Sequence, residues 1–396
     1  MQDSRIQRSP ELELLLAVSR PDRPTNFDAN ALDWDRLRKL AEIHGLLPLV
    51  WGAVRNYAHS DSSLALQHEA EQYTKRQLKL SSALLELVRV FRRENIPVFP
   101  YKGPALAQQL YGSLALRQSI DLDILIRPAD LRRAKEVLAG MAFRQTLTHS
   151  RTQEAFLEGS HCEAEFFFES ADVSVELHWA VLPREFGVAL PSVSAFEEGS
   201  SIIFCGTELQ VATREECILW LAAHATKHCW NRLIFLSDFA RALSVPDVDL
   251  DRLMGRARTA HCESMVRFGV SLLQRVLDYV PAHLTSLSLD AMPSRQLEFV
   301  AERLLSGDVV EPSAFERHRL AMSLMDSSAR AALYCGNVIR NPQPADFASV
   351  QLPQRLMFLY VPLRIARLAR KSLLSLLPLH TTRHTKVSPA KVGCSD

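Results

Sequence analysis

Residues Arg117–Ile126 read RQSIDLDILI, and this stretch decides the fold. Side chains alternate between the two faces of a β-strand, so residues two apart share a face. Asp121 and Asp123 would therefore point the same way. The opposite face is apolar and is expected to turn into a core; it consists of Ile120, Leu122, Ile124 and Ile126. The stretch predicts a strand with two carboxylates on one face and core residues on the other.

The paired carboxylates predict a metal site. Two adjacent carboxylates repel each other, and one is pushed toward its neutral form unless they share a cation. Hard divalent ions prefer oxygen ligands, which makes Mg²⁺ the expected ion and Mn²⁺ the alternative. The competing interpretation is an exposed edge strand with two solvated acids. The strict apolar alternation and the charged residues nearby favour the metal site.

A second strand is predicted at residues 173–179, which read VSVELHW. Glu176 would add a third carboxylate if this strand lies beside the first. Three carboxylates can hold two ions roughly 3.5–4 Å apart, the arrangement that supports in-line phosphoryl transfer. His178, on the same face, would orient a carboxylate or a substrate, or would serve only as a structural hydrogen-bonding group.

A phosphate-binding turn is predicted just before the Asp-x-Asp strand. Residues 96–101, IPVFPY, form a short strand candidate that runs into Lys102 and Gly103. A glycine between a strand and a helix lets backbone N–H groups approach a phosphate, and the helix N-terminus favours an anion. Taken alone, Lys102 fits a surface turn equally well. Arg117, four residues before Asp121, would pair with phosphate or brace a carboxylate.

This ordered set of motifs resembles a bacterial group of uncharacterised nucleotidyltransferases in the DNA polymerase β-like nucleotidyltransferase superfamily. The matching residues are Lys102-Gly103, Arg117, Asp121-x-Asp123 and Glu176-Leu177-His178-Trp179. The Arg-x-Ser-x-Asp-x-Asp string is also similar to nucleotidyltransferase toxins of abortive-infection systems. Including a later His-x-x-Lys-His segment, the resemblance covers roughly residues 30–370.

The resemblance implies a Mg²⁺-dependent enzyme that transfers a nucleoside monophosphate from a nucleoside triphosphate to an acceptor and releases pyrophosphate. Lys102 and Gly103 would bind the phosphates. Asp121 and Asp123 would hold two ions, and Glu176 would share the second ion and help activate an acceptor hydroxyl. A small molecule, a peptide or protein side chain, and a tRNA end are all compatible acceptors.

A downstream helical segment is expected to close over the nucleotide. It contains Lys227, Arg232 and Asp238, and Lys227 would contact phosphate unless it is simply a solvated lysine. His224 and His228, which share one helix face beside a cysteine, suggest zinc only weakly. The metalloprotease pattern needs a glutamate directly after the first histidine, and an alanine stands there.

Two departures from the superfamily pattern support a second interpretation. Pro104 follows the glycine and removes one N–H from the phosphate-binding turn. The third carboxylate is Glu176, where aspartate is commoner. These departures keep open the alternative of a catalytically silent protein that binds a nucleotide or a partner through its helical regions, although the presence of all three carboxylates argues against it. A toxin-like enzyme that acts on tRNA or protein is a third hypothesis.

The predicted fold class is α+β, with a small mixed-sheet nucleotidyltransferase core flanked by helical regions. We expect an N-terminal helical region over 1–95, the α/β core over 96–213 and a C-terminal helical domain over 214–378. A polar, basic and disordered tail is expected over 379–396.

The net charge, the cysteine pattern and the lengths of the apolar runs limit the kinds of function that this protein can have. The chain has 396 residues and a formal net charge of +1, which does not favour coating nucleic acid by bulk electrostatics. Seven cysteines without a Cys-x-x-Cys pair predict reduced thiols in the cytoplasm. No signal-peptide core opens the chain, and no apolar run reaches the roughly 18 residues that span a bilayer.

Residues 355–371 form an apolar and basic segment, RLMFLYVPLRIARLARK. Such a segment suits a membrane surface or a partner protein. The alternative, an amphipathic helix packed on its own domain, is the interpretation that we favour.

Overall fold

A computed structural model divides the chain into two compact units, Met1–Asn337 and Val338–Asp396. The β-sheet and the candidate site both lie in the first unit. The boundaries expected at 95, 213 and 378 stay predictions, and the expected tail over 379–396 lies outside the described residues. The structure describes residues 8–22, 26–57, 61–147, 150–191, 193–245, 248–284, 294–307, 311–350 and 352–376.

The N-terminal region is helical, as predicted. Its helices are α1 (Pro10–Ser19), α2 (Trp34–Ile43), α3 (Leu47–Val54) and α4 (Asp61–Arg93). Side-chain caps fix where α1 and α2 begin. The Ser9 hydroxyl accepts a hydrogen bond from the backbone N–H of the third residue of α1, and the Asp33 carboxylate accepts one from the third residue of α2. The long α4 packs on the sheet through a buried stripe that ends at Phe91.

The central sheet is mixed, which confirms the predicted α+β class. Its strands are β1 (Val98–Pro100), β2 (Leu122–Ile126), β3 (Arg144–Gln145), β4 (Glu163–Phe168) and β5 (Val173–His178). The spatial order is β1-β2-β5-β4-β3. The β2–β5 pairing is parallel and the other pairings are antiparallel. β4 and β5 form an antiparallel hairpin.

Further elements complete the core region. Helices α5 (Gly103–Tyr111), α6 (Leu131–Gly140) and α7 (Arg151–Ser160) connect the strands, and a hairpin of β6 (Ser200–Phe204) and β7 (Thr207–Val211) follows. Neither α7 nor this hairpin is among the elements that the sequence pattern predicts.

The Asp-x-Asp strand is buried on both faces rather than one. Leu122, Ile124 and Ile126 reach the core as predicted. Ile120 was predicted to join them and instead is 54% exposed. Ile120 lies two residues before the first residue of β2, and its carbonyl accepts two hydrogen bonds from the Arg76 guanidinium instead of pairing within the sheet.

The C-terminal region is helical, as predicted. It comprises α8 (Arg214–Lys227), α9 (Leu233–Leu243), α10 (Leu250–Ala260), α11 (Glu263–Leu272) with a π-helical turn (Leu273–Leu277), α12 (Ser294–Leu305), α13 (Ala314–Ser323), α14 (Ser328–Arg340), α15 (Pro344–Ser349) and α16 (Tyr360–Leu376). Within the first unit α1 packs against α9, and Arg241 donates to the carbonyls of Val18 and Ser19 at the end of α1.

The apolar and basic segment 355–371 lies in the second unit. Inside that unit Tyr360 is buried, and Arg364 donates to Asp346 at 2.8 Å. Phe358 and Ile365 are exposed. The contact with a membrane or a partner stays a prediction. Among the described helices, none is sufficiently long and apolar to cross a membrane.

Candidate functional site

The pairing of β2 with β5 places two carboxylates side by side. In the parallel register Asp123 is the Cα partner of Glu176. The side chain of Asp123 is 4% exposed, whereas Glu176 is partly open to solvent. Three residues here each offer one atom that could bind a metal, namely Asp123, Glu176 and His178. These three atoms all lie within 4.8 Å of one another. The predicted neighbourhood of the two strands is therefore confirmed.

His178 links these carboxylates. Its Nε2 lies 3.0 Å from Asp123 Oδ1 and 3.3 Å from Glu176 Oε2. Burial alone would lower the pKa of His178, but its hydrogen bond to Asp123 and the surrounding negative charge outweigh burial and raise the pKa well above 6.5. The raised pKa favours the protonated ring, whose Nε2 then donates to Asp123.

Lys102 supplies a second cation to the same carboxylate. Its Nζ lies 2.6 Å from Asp123 Oδ1. Burial favours the neutral form of Asp123, yet the Lys102 charge and the His178 hydrogen bond hold the pKa of Asp123 well below its usual range. Lys102 is the N-cap of α5, and Gly103 opens that helix with φ +71°. A Cβ at Gly103 would lie 3.4 Å from the carbonyl oxygen of Asp121, which shows how closely the helix start approaches β2.

The neighbouring cations do not balance the negative charge of Asp121. Burial, followed by the charges of Asp123 and Glu176, raises the pKa of Asp121 to about 7. The Asp121 carboxylate interacts electrostatically with Asp123 and Glu176, but it is not among the three residues whose ligand atoms lie within 4.8 Å of one another. The oxygen donors and the excess negative charge fit a hard divalent cation, which would relieve the repulsion among these acids.

A cleft of about 150 Å³ opens over these groups. Most of the predicted site residues line it, namely Lys102, Gly103, Arg117, Asp121, Asp123 and Arg232. The described side chains of Glu176, Lys227 and Asp238 lie outside this lining.

A family model described as an uncharacterised nucleotidyltransferase matches residues 30–278. The chain belongs to this nucleotidyltransferase family. The matched segment contains every residue of the predicted site. No curated protein and no solved structure matched the chain. Family membership supports nucleotidyl transfer as the general type of reaction and identifies the protein as a transferase.

In this nucleotidyltransferase Arg117 and Asp238 form a closed buried pair. Arg117 Nε lies 3.0 Å from Asp238 Oδ1, and Nη2 lies 2.9 Å from Oδ2. Nη1 donates to Ser119 Oγ, and the hydroxyl of Tyr111 donates to Asp238 at 2.7 Å. Burial would lower the pKa of Arg117, but Asp238 outweighs burial and raises it. The pair joins the loop before β2 to α9, and its predicted contact with nucleotide stays a prediction.

Lys227 is held by Glu163 on β4. Its Nζ lies 2.9 and 2.8 Å from the two carboxylate oxygens. Burial favours the neutral form of Glu163, but Lys227 outweighs it and lowers the pKa of Glu163 to about 2. Glu163 is a site residue that sequence reasoning missed, because its register opposite His178 is visible only in the folded sheet. The predicted contact of Lys227 with phosphate stays a prediction.

Arg232 and His224 form the helical side of the cleft. Arg232 is 47% exposed, with Nη2 3.6 Å from Glu311 Oε1. Burial and the charge of Lys102 hold the pKa of His224 well below 6.5, so its ring is neutral. In the part of the chain that the structure describes, His224 and His228 belong to no three-ligand metal group.

Proposed function

We propose that this protein transfers a nucleoside monophosphate from a nucleoside triphosphate to an acceptor hydroxyl, with Mg²⁺ or Mn²⁺ bound at Asp121, Asp123 and Glu176. The observation that carries the proposal is the parallel register of Asp123 with Glu176 in a nucleotidyltransferase-family chain, with Lys102 bound to Asp123 where both line a cleft. A bacterial origin, a cytoplasmic location and membership of the DNA polymerase β-like superfamily are parts of this proposal.

The reaction replaces one bond to the α-phosphorus with another. The acceptor oxygen attacks that phosphorus, the bond to the bridging oxygen of the β-phosphate breaks, and its electron pair leaves with pyrophosphate. The bound cation would neutralise charge that develops on the phosphate oxygens. Glu176 is more exposed than Asp123, and we assign it to accept the proton of the acceptor hydroxyl.

The remaining residues bind and orient the triphosphate. Lys102 stands between Asp123 and the first turn of α5, where an ammonium and a helix N-terminus both attract phosphate. Arg232 is a half-exposed cation that also lines the cleft. Arg117 and Asp238 act by fixing the loop that leads into β2.

Label transfer tests the proposal. The purified protein is incubated with Mg²⁺, each of four α-labelled nucleoside triphosphates and a bacterial extract as the acceptor source. The variant Asp121→Ala/Asp123→Ala is run beside it, with Glu136→Ala/Asp172→Ala as a control that removes two exposed acids. We expect transfer with pyrophosphate release by the wild type and the control, and loss of both in the active-site variant. Transfer that survives in that variant overturns the assignment.

A catalytically silent nucleotide-binding protein is the second candidate. Pro104 lies in the first turn of α5, where it removes one N–H from the helix N-terminus. Nucleotide binding in calorimetry together with no label transfer would support this candidate over the enzyme.

A further inference from the structure

The nitrogen of His178 that faces the carboxylates has the position of a ligand. Asp123 Oδ1, Glu176 Oε2 and His178 Nε2 come from two adjacent strands, and Nε2 lies 3.0 and 3.3 Å from the two oxygens. Neighbouring ligands of a six-coordinate ion with bonds of about 2.1 Å are about 3.0 Å apart, which is close to these separations. A carboxylate oxygen has two lone pairs, so Lys102 and an ion can share Asp123 Oδ1.

A carboxylate lies on the other side of the ring. Ligating histidines usually present their second nitrogen to a carboxylate, which fixes the ring orientation. Here Nδ1 is buried and forms no hydrogen bond to any described residue, but it lies 3.4 Å from Glu163 Oε2, close enough for that carboxylate to become its acceptor. Glu163 is fixed in turn, because Lys227 donates to both of its oxygens and the Cys162 thiol donates to Oε2 at 3.3 Å.

We propose that His178 Nε2 is itself a metal ligand, which completes with Asp123 and Glu176 a site for a first-row transition ion such as Mn²⁺. The ion would take the place of the Nε2 proton, which is released to solvent. Glu163 and Lys227 are positioning residues that act through the His178 ring. This inference deepens the proposed function and rests on it, because it names the ion at the same carboxylates. Mg²⁺ takes oxygen ligands, whereas an imidazole nitrogen suits transition ions, so the site would bind Mn²⁺ more tightly than Mg²⁺.

Pulsed EPR of the 396-residue chain with Mn²⁺ alone tests the ligand directly, because it detects the ¹⁴N nucleus of a coordinated imidazole. We expect a ¹⁴N signal in the wild type. His178→Gln should lose the signal and raise the Mn²⁺ dissociation constant at least about tenfold, with a smaller change for Mg²⁺. His224→Gln, which changes another histidine beside the cleft, should keep the signal.

Variants of the positioning residues give a second readout if His178→Gln fails to fold. Glu163→Gln and Lys227→Met should raise the Mn²⁺ dissociation constant about 10–100-fold and keep the ¹⁴N signal. Lys135→Met is the matched control, because Lys135 on α6 also binds two glutamates, both on α7, at 2.6 Å. Its Mn²⁺ affinity should equal that of the wild type.

The outcomes separate this inference from the proposed function. Bound Mn²⁺ without a ¹⁴N signal would overturn the inference and leave label transfer at the carboxylates intact; His178 would then be an imidazolium that only donates hydrogen bonds. A signal that persists in His178→Gln would also overturn it, by assigning the nitrogen to another residue. Wild-type protein that binds neither Mn²⁺ nor Mg²⁺ would overturn both.

Discussion

Two buried charged groups in this molecule differ in how their charges are balanced. Arg117 and Asp238 form a closed pair, since Nε, Nη1 and Nη2 of the guanidinium all donate within the protein. The second group contains Asp121, Asp123 and Glu176, and the first two of these line the cleft. Asp123 is neutralised by its cations, but Asp121 remains against like charges with a pKa raised to about 7.

The difference separates structure from function. A balanced, fully hydrogen-bonded pair holds two elements together and has little left to offer a ligand. Carboxylates that lie close together with too few neighbouring cations destabilise the folded protein. Ionisable groups in a cleft whose pKa values are perturbed in this way are typical of functional sites. Each of the following predictions changes one side of this comparison.

Breaking the closed pair should have the largest effect. Asp238→Ala leaves the Arg117 guanidinium buried without its partner, and we expect a loss of about 3–5 kcal/mol in the free energy of unfolding. Urea denaturation measures the loss. The double variant Arg117→Met/Asp238→Leu should recover most of it, because no charge then remains buried. A double variant as unstable as Asp238→Ala would contradict the structural role of the pair.

Changing the open group should affect activity instead. Asp123→Asn removes one charge from the proposed cation site, and we expect nucleotidyl transfer to fall roughly 10²- to 10³-fold, equivalent to about 3–4 kcal/mol of transition-state stabilisation. Circular dichroism should show a folded variant, because Glu176 still faces His178. Asp172→Asn, at an exposed acid, is the control and should keep its activity. Equal activities of the two variants would remove Asp123 from the site.

The buried histidine His44 has a structural role and makes the free energy of unfolding depend on pH. His44 Nδ1 accepts from the Leu233 N–H, and burial, followed by the Arg232 charge, lowers the pKa of His44 from 6.5 to about 4. The unfolded chain therefore takes up the proton first as the pH falls. The stability that neutral His44 contributes is complete above pH 6.5 and is lost as the pH falls through about 4.

The variant His44→Asn keeps an acceptor at this position and removes the titration. Between pH 7 and 4 the wild type should lose about 2–3 kcal/mol more unfolding free energy than the variant. Urea denaturation at a series of pH values measures this difference. Parallel stability profiles would contradict a buried neutral His44.

The smallest expected effect is a gain of stability at the open group. Asp121→Asn removes the charge that lies against Asp123 and Glu176, so we expect the Tm in EDTA to rise by about 2–4 °C. Adding Mn²⁺ should raise the Tm of the wild type and have less effect on the variant. Asp251→Asn, at an exposed position on α10, is the control for losing one negative charge. A lower Tm for Asp121→Asn would show that this carboxylate is already compensated.

The sequence predicted the elements that repeat a regular pattern. Period-two alternation identified β2 and β5, and the acidic residues on their polar faces predicted that Asp123 lies near Glu176, which the parallel register confirms. The register that sets Glu163 opposite His178 depends on the length of the turn and on pairing across the sheet, which one strand alone does not specify.

Other features were missed although local signals were present. Helix α7 begins with a capping box in which Ser150 and Gln153 exchange hydrogen bonds. The hairpin β6–β7 turns at Cys205 and Gly206, both with positive φ, where a glycine between two short β-like runs was the available cue. The partners of Lys227 and Arg117 were not readable, because acids 64 and 121 residues away in the chain bind them.

The most direct test of the account is to follow both ends of the triphosphate in one reaction. Protein, Mg²⁺ or Mn²⁺ and bacterial extract are supplied with nucleoside triphosphate labelled at either the α- or the γ-phosphate. We predict that the α-label joins the acceptor and that the γ-label leaves as pyrophosphate, both dependent on Asp123. A γ-label on the acceptor would show phosphoryl rather than nucleotidyl transfer, and label on neither product would contradict the enzyme.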